Sequence, residues 1–283
     1  MRLYLIRHGE TVDNVAQLYS GSRDCVLTSH GVSQCQRLAS HLAERLPASS
    51  GIHIFSSDLQ RAAKTAQSIC DARGKDEVVL QLPELREQHF GSGEGTKYTL
   101  GQPLVGVETQ EDMRARVDRF LKDQLLPLLT PQNDIPVVIV AHGILLSVLF
   151  RRLGEHLPRG AVAVTKEAEG GHPPFAYIND VPALVVWSNT GYIEAEVTPT
   201  ATADWSSVKL QVERINSTDH LTGLHKTRGG IGSAAFDEKQ KTIDSFLAPK
   251  KTDVSDAPID SQCAFIPPYK KRRRRRIELI YYS

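Results

Sequence analysis

The first six residues, Met1–Ile6 (MRLYLI), are a mostly apolar run that ends at once in Arg7-His8-Gly9-Glu10-Thr11, with Asn14 close behind. An apolar run of this length, closed by a glycine turn, reads as a buried strand. Arg7 and His8 then stand where a central strand leaves its sheet. In open α/β sheets ligands bind there, outside the carboxyl ends of the strands. Histidine is a nucleophile or proton carrier near neutral pH, and arginine offers a fork of donors matched to phosphate oxygens. Taken alone, an Arg-His pair after a strand also fits an ordinary solvated loop, so the rest of the chain has to decide.

The same arrangement recurs along the sequence. Ile52–Phe55 reads as a strand running into Ser56-Ser57-Asp58-Leu59-Gln60-Arg61, with Asp58 as N-cap and Arg61 in the first helical turn. Val78–Leu82 reads as a strand leading through Pro83 to Glu84-Leu85-Arg86-Glu87. Pro136–Ala141 is the most strand-like run and ends in His142-Gly143, before an almost wholly apolar helix over Ile144–Leu153. Helical spacing of Val32, Cys35, Leu38, Ala39, Leu42 and Leu46 follows a cap at Thr28 or Ser29. A longer helix is expected over Thr109–Leu129. Gly154–Asp180 reads as irregular. Ala183–Trp187 and Tyr192–Val197 read as a strand pair about Asn189-Thr190-Gly191, and Val208–Ile215 as a final strand. Strands alternating with helices imply βαβ units and an α/β sheet with helices on both faces.

Composition excludes several classes. Net charge is +1, but Lys270–Arg276 (KKRRRRR) carries seven cations, so the remaining residues are net acidic. The four cysteines (Cys25, Cys35, Cys70, Cys263) have neither metal nor redox spacing and read as reduced thiols. The chain starts directly on a strand, which leaves no room for a secretory leader, and the apolar stretch Ile135–Phe150 is too short and too polar to span a bilayer. A cytoplasmic or nuclear location is expected, with no membrane partner and an unglycosylated Asn216-Ser217-Thr218 sequon.

Arg7-His8, Arg61, Glu87 and His142 each lie just past a strand end or at the start of the next helix. In a doubly wound sheet such positions converge on one edge. The pocket they form fits a phosphomonoester, which carries about two negative charges at neutral pH. Arg7, Arg61 and His142 are expected to neutralise the phosphate oxygens, with Asn14 as a neutral donor. His8 is positioned for in-line attack, its ring held in one tautomer by an acceptor such as a backbone carbonyl near Gly9. Glu87 is the candidate proton donor and later acceptor. No histidine has metal-ligand spacing, so no metal or other cofactor is expected. His89 is a further candidate substrate contact, while Glu10, Glu94 and Glu108 read as structural or substrate-adjacent rather than catalytic.

These blocks, in order, are Arg7-His8-Gly9-Glu10-Thr11 with Asn14, Ser57-Asp58-Leu59-Gln60-Arg61-Ala62, Leu85-Arg86-Glu87 and Val140-Ala141-His142-Gly143. Together they resemble the histidine phosphatase (phosphoglycerate mutase-like) superfamily. Ser20-Gly21, Leu27-Thr28-Ser29-His30-Gly31, Gly106-Val107-Glu108-Thr109 and Ile215–Leu221 resemble its remaining blocks, so the likeness spans roughly Met1–Leu221. The resemblance implies a three-layer α/β/α sandwich with a mixed, mostly parallel sheet in a catalytic domain over 1–222. It implies a metal-independent phosphatase in which His8 is phosphorylated and Arg7, Arg61 and His142 complete the phosphate pocket. It also makes Glu87 the proton donor and puts Asn14, Ser20 and Gly21 on the substrate side. The alternative within the family is a cofactor-dependent phosphoglycerate-type mutase. Only ten residues separate Gly95 from Gly106. Many members have a longer lid there, so an open site and a water acceptor are expected.

From about Leu224 the composition turns polar and periodicity disappears, so 223–283 reads as a disordered tail. Gln240–Leu247 (QKTIDSFL) resembles the peptide that docks replication and repair proteins onto the sliding clamp PCNA. Gln240, Ile243, Phe246 and Leu247 would make the contact. A weakly active or inactive member acting as a nuclear adaptor is therefore the runner-up function. The basic run 270–276 fits a nuclear-localisation or nucleic-acid patch, a merely solvated run, or a stretch outside the true reading frame.

Overall fold

The computed structural model describes residues 1–46, 51–74, 77–99, 101–165, 168, 177–178, 181–182, 185–199, 204–227 and 230–237. One compact unit covers Met1–Glu238. The clamp-like segment 240–247 and the basic run 270–276 lie outside the described residues.

The strands are β1 (Arg2–Arg7), β2 (His53–Ser57), β3 (Val79–Leu82), β4 (Val137–Ala141), β5 (Val162–Val164), β6 (Tyr177–Ile178), β7 (Val181–Pro182), β8 (Tyr192–Pro199) and β9 (Val208–Ser217). The helices are α1 (Val12–Ala16), α2 (Ser29–Arg45), α3 (Gln60–Arg73), α4 (Gln110–Phe120) and α5 (Gly143–His156). Seven strands form one sheet in the order β3-β2-β4-β1-β8-β9-β5, and β6 pairs with β7 apart from it. β1 is parallel to β4 (Arg7 opposite Ala141) and antiparallel to β8 (Ile6 opposite Tyr192). Strand β8 alone in this sheet runs against the others.

Alternation along the strands builds the three layers. Leu3 and Leu5 of β1 and Val137, Ile139 and Ala141 of β4 join Met113, Val117, Leu145 and Leu149 of α4 and α5 in one core. Tyr4, Ile6, Val138 and Val140 point the other way, onto Leu38, Leu42, Ala62, Ala66 and Ile69 of α2 and α3. A period of two on β1 and β4 thus serves two cores at once, as a strand buried on both faces must. The mixed, mostly parallel α/β/α arrangement is the one expected.

Several local expectations need correction. Asp58 does not cap α3: Arg86 holds both its oxygens (2.7 and 2.6 Å), and Asp24 Oδ1 instead accepts the Gln60 N–H at 2.7 Å. The helix expected over Thr109–Leu129 is α-helical to Phe120, then a π-helical turn (Leu121–Leu125) and a 3-10 turn (Leu126–Leu128) holding Pro127. The segment Gly154–Asp180 contains the edge strand β5. Val185–Trp187 is not a strand, because β8 has both its ladders filled by β1 and β9. The expected disorder from 223 is not what the described residues 223–227 and 230–237 show. Ser29 N donates to Ala234 O (3.1 Å), Phe236 N to Leu27 O (3.0 Å), and Lys226 Nζ pairs with Glu10 (2.8 Å).

No helix among the described residues is long and apolar enough to cross a membrane.

Candidate active site

The parallel strands β1, β2, β3 and β4 end at one sheet edge, and a cavity of about 610 Å³ opens there. Arg7, His8, Asn14, Ser20, Gly21, Arg61 and Glu87 all line it. His142 lies behind that lining, fully buried, its ring centroid 5.1 Å from that of His8. The sheet therefore brings these residues together, although Arg7 and His142 are far apart in the sequence.

His8 is held at three points. Its backbone N–H donates to Ala141 O at 3.0 Å, and its carbonyl accepts from Thr190 N (3.2 Å) and Asn189 Nδ2 (3.1 Å). Its ring Nδ1 is 2.7 Å from Gly9 O. A carbonyl only accepts, so Nδ1 carries the proton and Nε2 keeps its lone pair. Burial first, then the nearby Arg61 and Arg7 charges, hold the His8 pKa well below 6.5. The ring is thus a neutral imidazole with one nucleophilic nitrogen.

Gly9 is demanded by packing. A Cβ there would lie 2.6 Å from Cys35 Sγ and 2.9 Å from Gly31 O. Its N–H donates to Thr65 Oγ1 (3.1 Å), whose own hydroxyl donates to Arg61 O (2.7 Å). The carbonyl that orients His8 is in this way tied to the start of α3.

Arg61 is 1% exposed. Its Nε donates to His142 Nδ1 at 3.1 Å, Nη1 to Arg23 O at 2.6 Å and Nη2 to Gly21 O at 2.8 Å. An arginine has no acceptor, so His142 Nδ1 must accept and its proton sits on Nε2. That Nε2, like Arg7 Nε, is a buried donor with no partner among the described residues. Burial and the Arg61 charge keep His142 neutral, its pKa well below 6.5. His142 therefore brings a donor and no charge, contrary to the neutralising role expected of it. Arg7 is anchored by Nη1 on Trp187 O at 2.5 Å, and burial lowers its pKa while Glu87 opposes this.

Glu87 accepts from the first turn of α5: Oε2 from Ile144 N (3.2 Å) and Oε1 from Leu145 N (3.0 Å). Carboxylates are favoured at such a helix start. Arg116 fixes the preceding loop by donating to the carbonyls of Glu84, Arg86 and Glu87 at 2.7, 2.6 and 3.3 Å, and pairs with Glu108 at 2.6 Å. Asn14 Oδ1 is taken by Thr11 N and Asn189 Nδ2, both at 3.1 Å, which leaves its amide donors for the cavity. His89 lies outside the cavity lining and pairs with Glu94 at 2.8 Å; Glu94 also binds Ser22 N. Glu10 holds Thr28 and Lys226.

Trp187, Asn189, Thr65 and Arg116 were not singled out by sequence. The Asn189-Thr190-Gly191 turn was visible, but its place against β1 depends on β8 running antiparallel. Tyr19, Phe90 and Tyr98 complete the wall, with ring centroids of Tyr19 4.8 Å from Phe90 and 5.1 Å from Tyr98. Among the described residues no cluster of three His, Cys, Asp or Glu could hold a metal ion.

The sequence pattern of the histidine phosphatase superfamily (branch 1) matches residues 3–166. The chain belongs to this superfamily. A Schizosaccharomyces pombe protein named as a phosphatase is 26% identical over 258 residues, covering 86% of this chain and 79% of its own. The adenosylcobalamin/alpha-ribazole phosphatase of Salmonella typhimurium is 34% identical over 171 residues, covering 54% and 79%. Among solved structures, a mycobacterial glucosyl-3-phosphoglycerate phosphatase complexed with VO3 superimposes with a TM-score of 0.57 at 27% identity, covering 77% of this chain and 99% of its own. The histidine phosphatase described here is accordingly a phosphoric monoester hydrolase with the phosphoglycerate mutase-like fold.

Proposed function

We propose that this phosphatase works through a phosphohistidine on His8, with Glu87 as the proton carrier. The observation that carries the reading is the pair of buried donors without a partner among the described residues, Arg7 Nε and His142 Nε2, beside the neutral His8 ring. A buried donor left unpaired costs about 1–3 kcal/mol, and phosphate oxygens would satisfy both.

The His8 Nε2 lone pair attacks phosphorus while the ester P–O bond breaks. The Glu87 carboxyl gives its proton to the departing oxygen, and the alcohol leaves. Water then attacks phosphorus and passes a proton to the Glu87 carboxylate. The N–P bond breaks, its electrons return to Nε2, and inorganic phosphate departs. Arg7 and His142 donate to the equatorial oxygens in both steps, so catalysis is positioning plus charge stabilisation. Transfer to a second substrate hydroxyl would be the mutase outcome. The short stretch from Gly95 to Gly106 favours water as acceptor.

Turnover of p-nitrophenyl phosphate and a panel of sugar phosphates by wild type and His8→Ala tests the reading. The variant should lose at least about 10³ in kcat, and acid-labile label should be trapped on wild type alone. Equal rates in the two proteins would overturn it.

A further inference from the structure

The cavity is much larger than a phosphate group needs. At about 610 Å³ it falls within the range of sites that enclose a whole small molecule. Beyond the phosphate end its lining includes the aromatic rings of Tyr19, Phe90, Tyr98 and Trp187 and the apolar side chains of Val148 and Val185. Trp187 is fixed there, its Nε1 donating to Ser147 Oγ at 2.9 Å.

Helix α5 runs away from the phosphate end along this lining. Ile144, Ser147, Val148 and Arg151 all face the cavity. Their spacing (i, i+3, i+4, i+7) is one stripe of a helix. The stripe starts beside Gly143, where Arg7 approaches within 3.8 Å of a Cβ position, and ends at Arg151. Arg151 is eight positions beyond Gly143, a rise of about 12 Å along the helix. Arg151 has no hydrogen-bond or ion-pair partner among the described residues. Its neighbour Arg152 is held by Asp118 and Glu155. Among the described residues Glu87 is the one carboxylate in the lining, and the first turn of α5 occupies it.

A guanidinium with no counter-charge among the described residues, at the far end of an aromatic-lined cavity, is built to receive an anion. We propose that Arg151 is a specificity residue that binds a second anionic group of the substrate, and that the substrate is the phosphomonoester of a flat aromatic acid. Phosphate sits at His8, the rings lie along Tyr19, Tyr98 and Trp187, and a carboxylate or second phosphate meets Arg151. This rests on the phosphatase reading above and names the substrate class of that same site.

The test compares naphthyl phosphate, carboxynaphthyl phosphate with its acid at the far end of the rings, and the corresponding naphthalene bisphosphate. Wild type, Arg151→Gln and Arg151→Lys are each assayed on all three. A charge-assisted hydrogen bond corresponds to a preference of about tenfold to a hundredfold in kcat/KM for an acid-bearing ester over naphthyl phosphate. Wild type should show that preference, mainly through KM. Arg151→Gln should bring the ratio close to one, and Arg151→Lys should keep part of it. The ester with the larger ratio identifies the second group as carboxylate or phosphate. Naphthyl phosphate turnover by the variants reports that they fold. Equal turnover of all three esters by wild type, or an unchanged ratio in Arg151→Gln, overturns this proposal alone. No turnover of any ester by wild type overturns the phosphatase reading and this one with it.

Discussion

Arg61 Nε donates to His142 Nδ1 at 3.1 Å, and this one bond decides where the His142 proton lies. It puts the N–H on the buried Nε2 and leaves Arg61 two further anchors, on Arg23 O and Gly21 O. One buried arginine therefore fixes both a donor and the loop that carries Gly21.

If the two residues act as a unit, their variants should not be additive. Arg61→Lys and His142→Gln should each lower kcat by about 10²–10³, the size of losing one transition-state donor. The double variant should lose little more than either single one, as residues that act together do. Steady-state kinetics on p-nitrophenyl phosphate measures this, and a double loss equal to the product of the two would refute the coupling.

Stability should depend on pH through the buried histidines. His8 and His142 are held well below 6.5 by burial and then by Arg61, and burial brings His220 to about 4. Below pH 6.5 the unfolded chain binds protons at these rings and the folded chain does not. Their contribution is therefore complete above pH 6.5 and is lost as pH falls toward the folded-state values. Tm should be level above that point and drop steadily down to pH 4, less steeply in His220→Gln. A Tm that stays constant across the window counts against this account.

Gly9→Ala should damage stability and turnover together. The new methyl meets Cys35 Sγ at 2.6 Å and Gly31 O at 2.9 Å, so the turn has to shift and takes the carbonyl that orients His8 with it. A loss of about 1–3 kcal/mol is expected from overpacking, with kcat falling as well. Cys35→Ala in the same chain removes the closer clash and should restore part of both. Chemical denaturation and kinetics of the two variants decide it, and a fully active Gly9→Ala would be a clear contradiction.

A fragment ending at residue 222 should be less stable than one ending at 238. It lacks the Lys226–Glu10 pair and the backbone bonds of Ala234 and Phe236 to the start of α2 and to Leu27. A deficit of about 1–3 kcal/mol is expected from those partners. Matching unfolding midpoints for the two fragments would show that the segment contributes nothing.

What the sequence made legible was every place where an apolar run meets a polar turn. Arg7-His8, Arg61, Glu87 and His142 were visible because burial writes strands as apolar runs and the chemistry follows them directly. Trp187 and Asn189 were hidden because their contacts to Arg7 and His8 span about 180 residues. Asp24 caps α3 from outside the helix, and Arg116 serves three carbonyls on another loop; neither leaves a local pattern. The segment up to Phe236 looked unstructured because a few backbone bonds and one ion pair hold it, and polar composition does not reveal those.

The reversed direction of β8 has a consequence for how the protein is made. β1 is made before its sheet neighbours β4 and β8, which begin at Val137 and Tyr192. A growing chain cannot close that sheet until most of the domain has emerged, and such long-range pairing is slow. β1 gains its first partner only once Val137–Ala141 is made, and its second only with Tyr192–Pro199. The Asn189-Thr190 turn that clasps His8 arrives with β8, so the site is incomplete until both flanks of β1 can be filled.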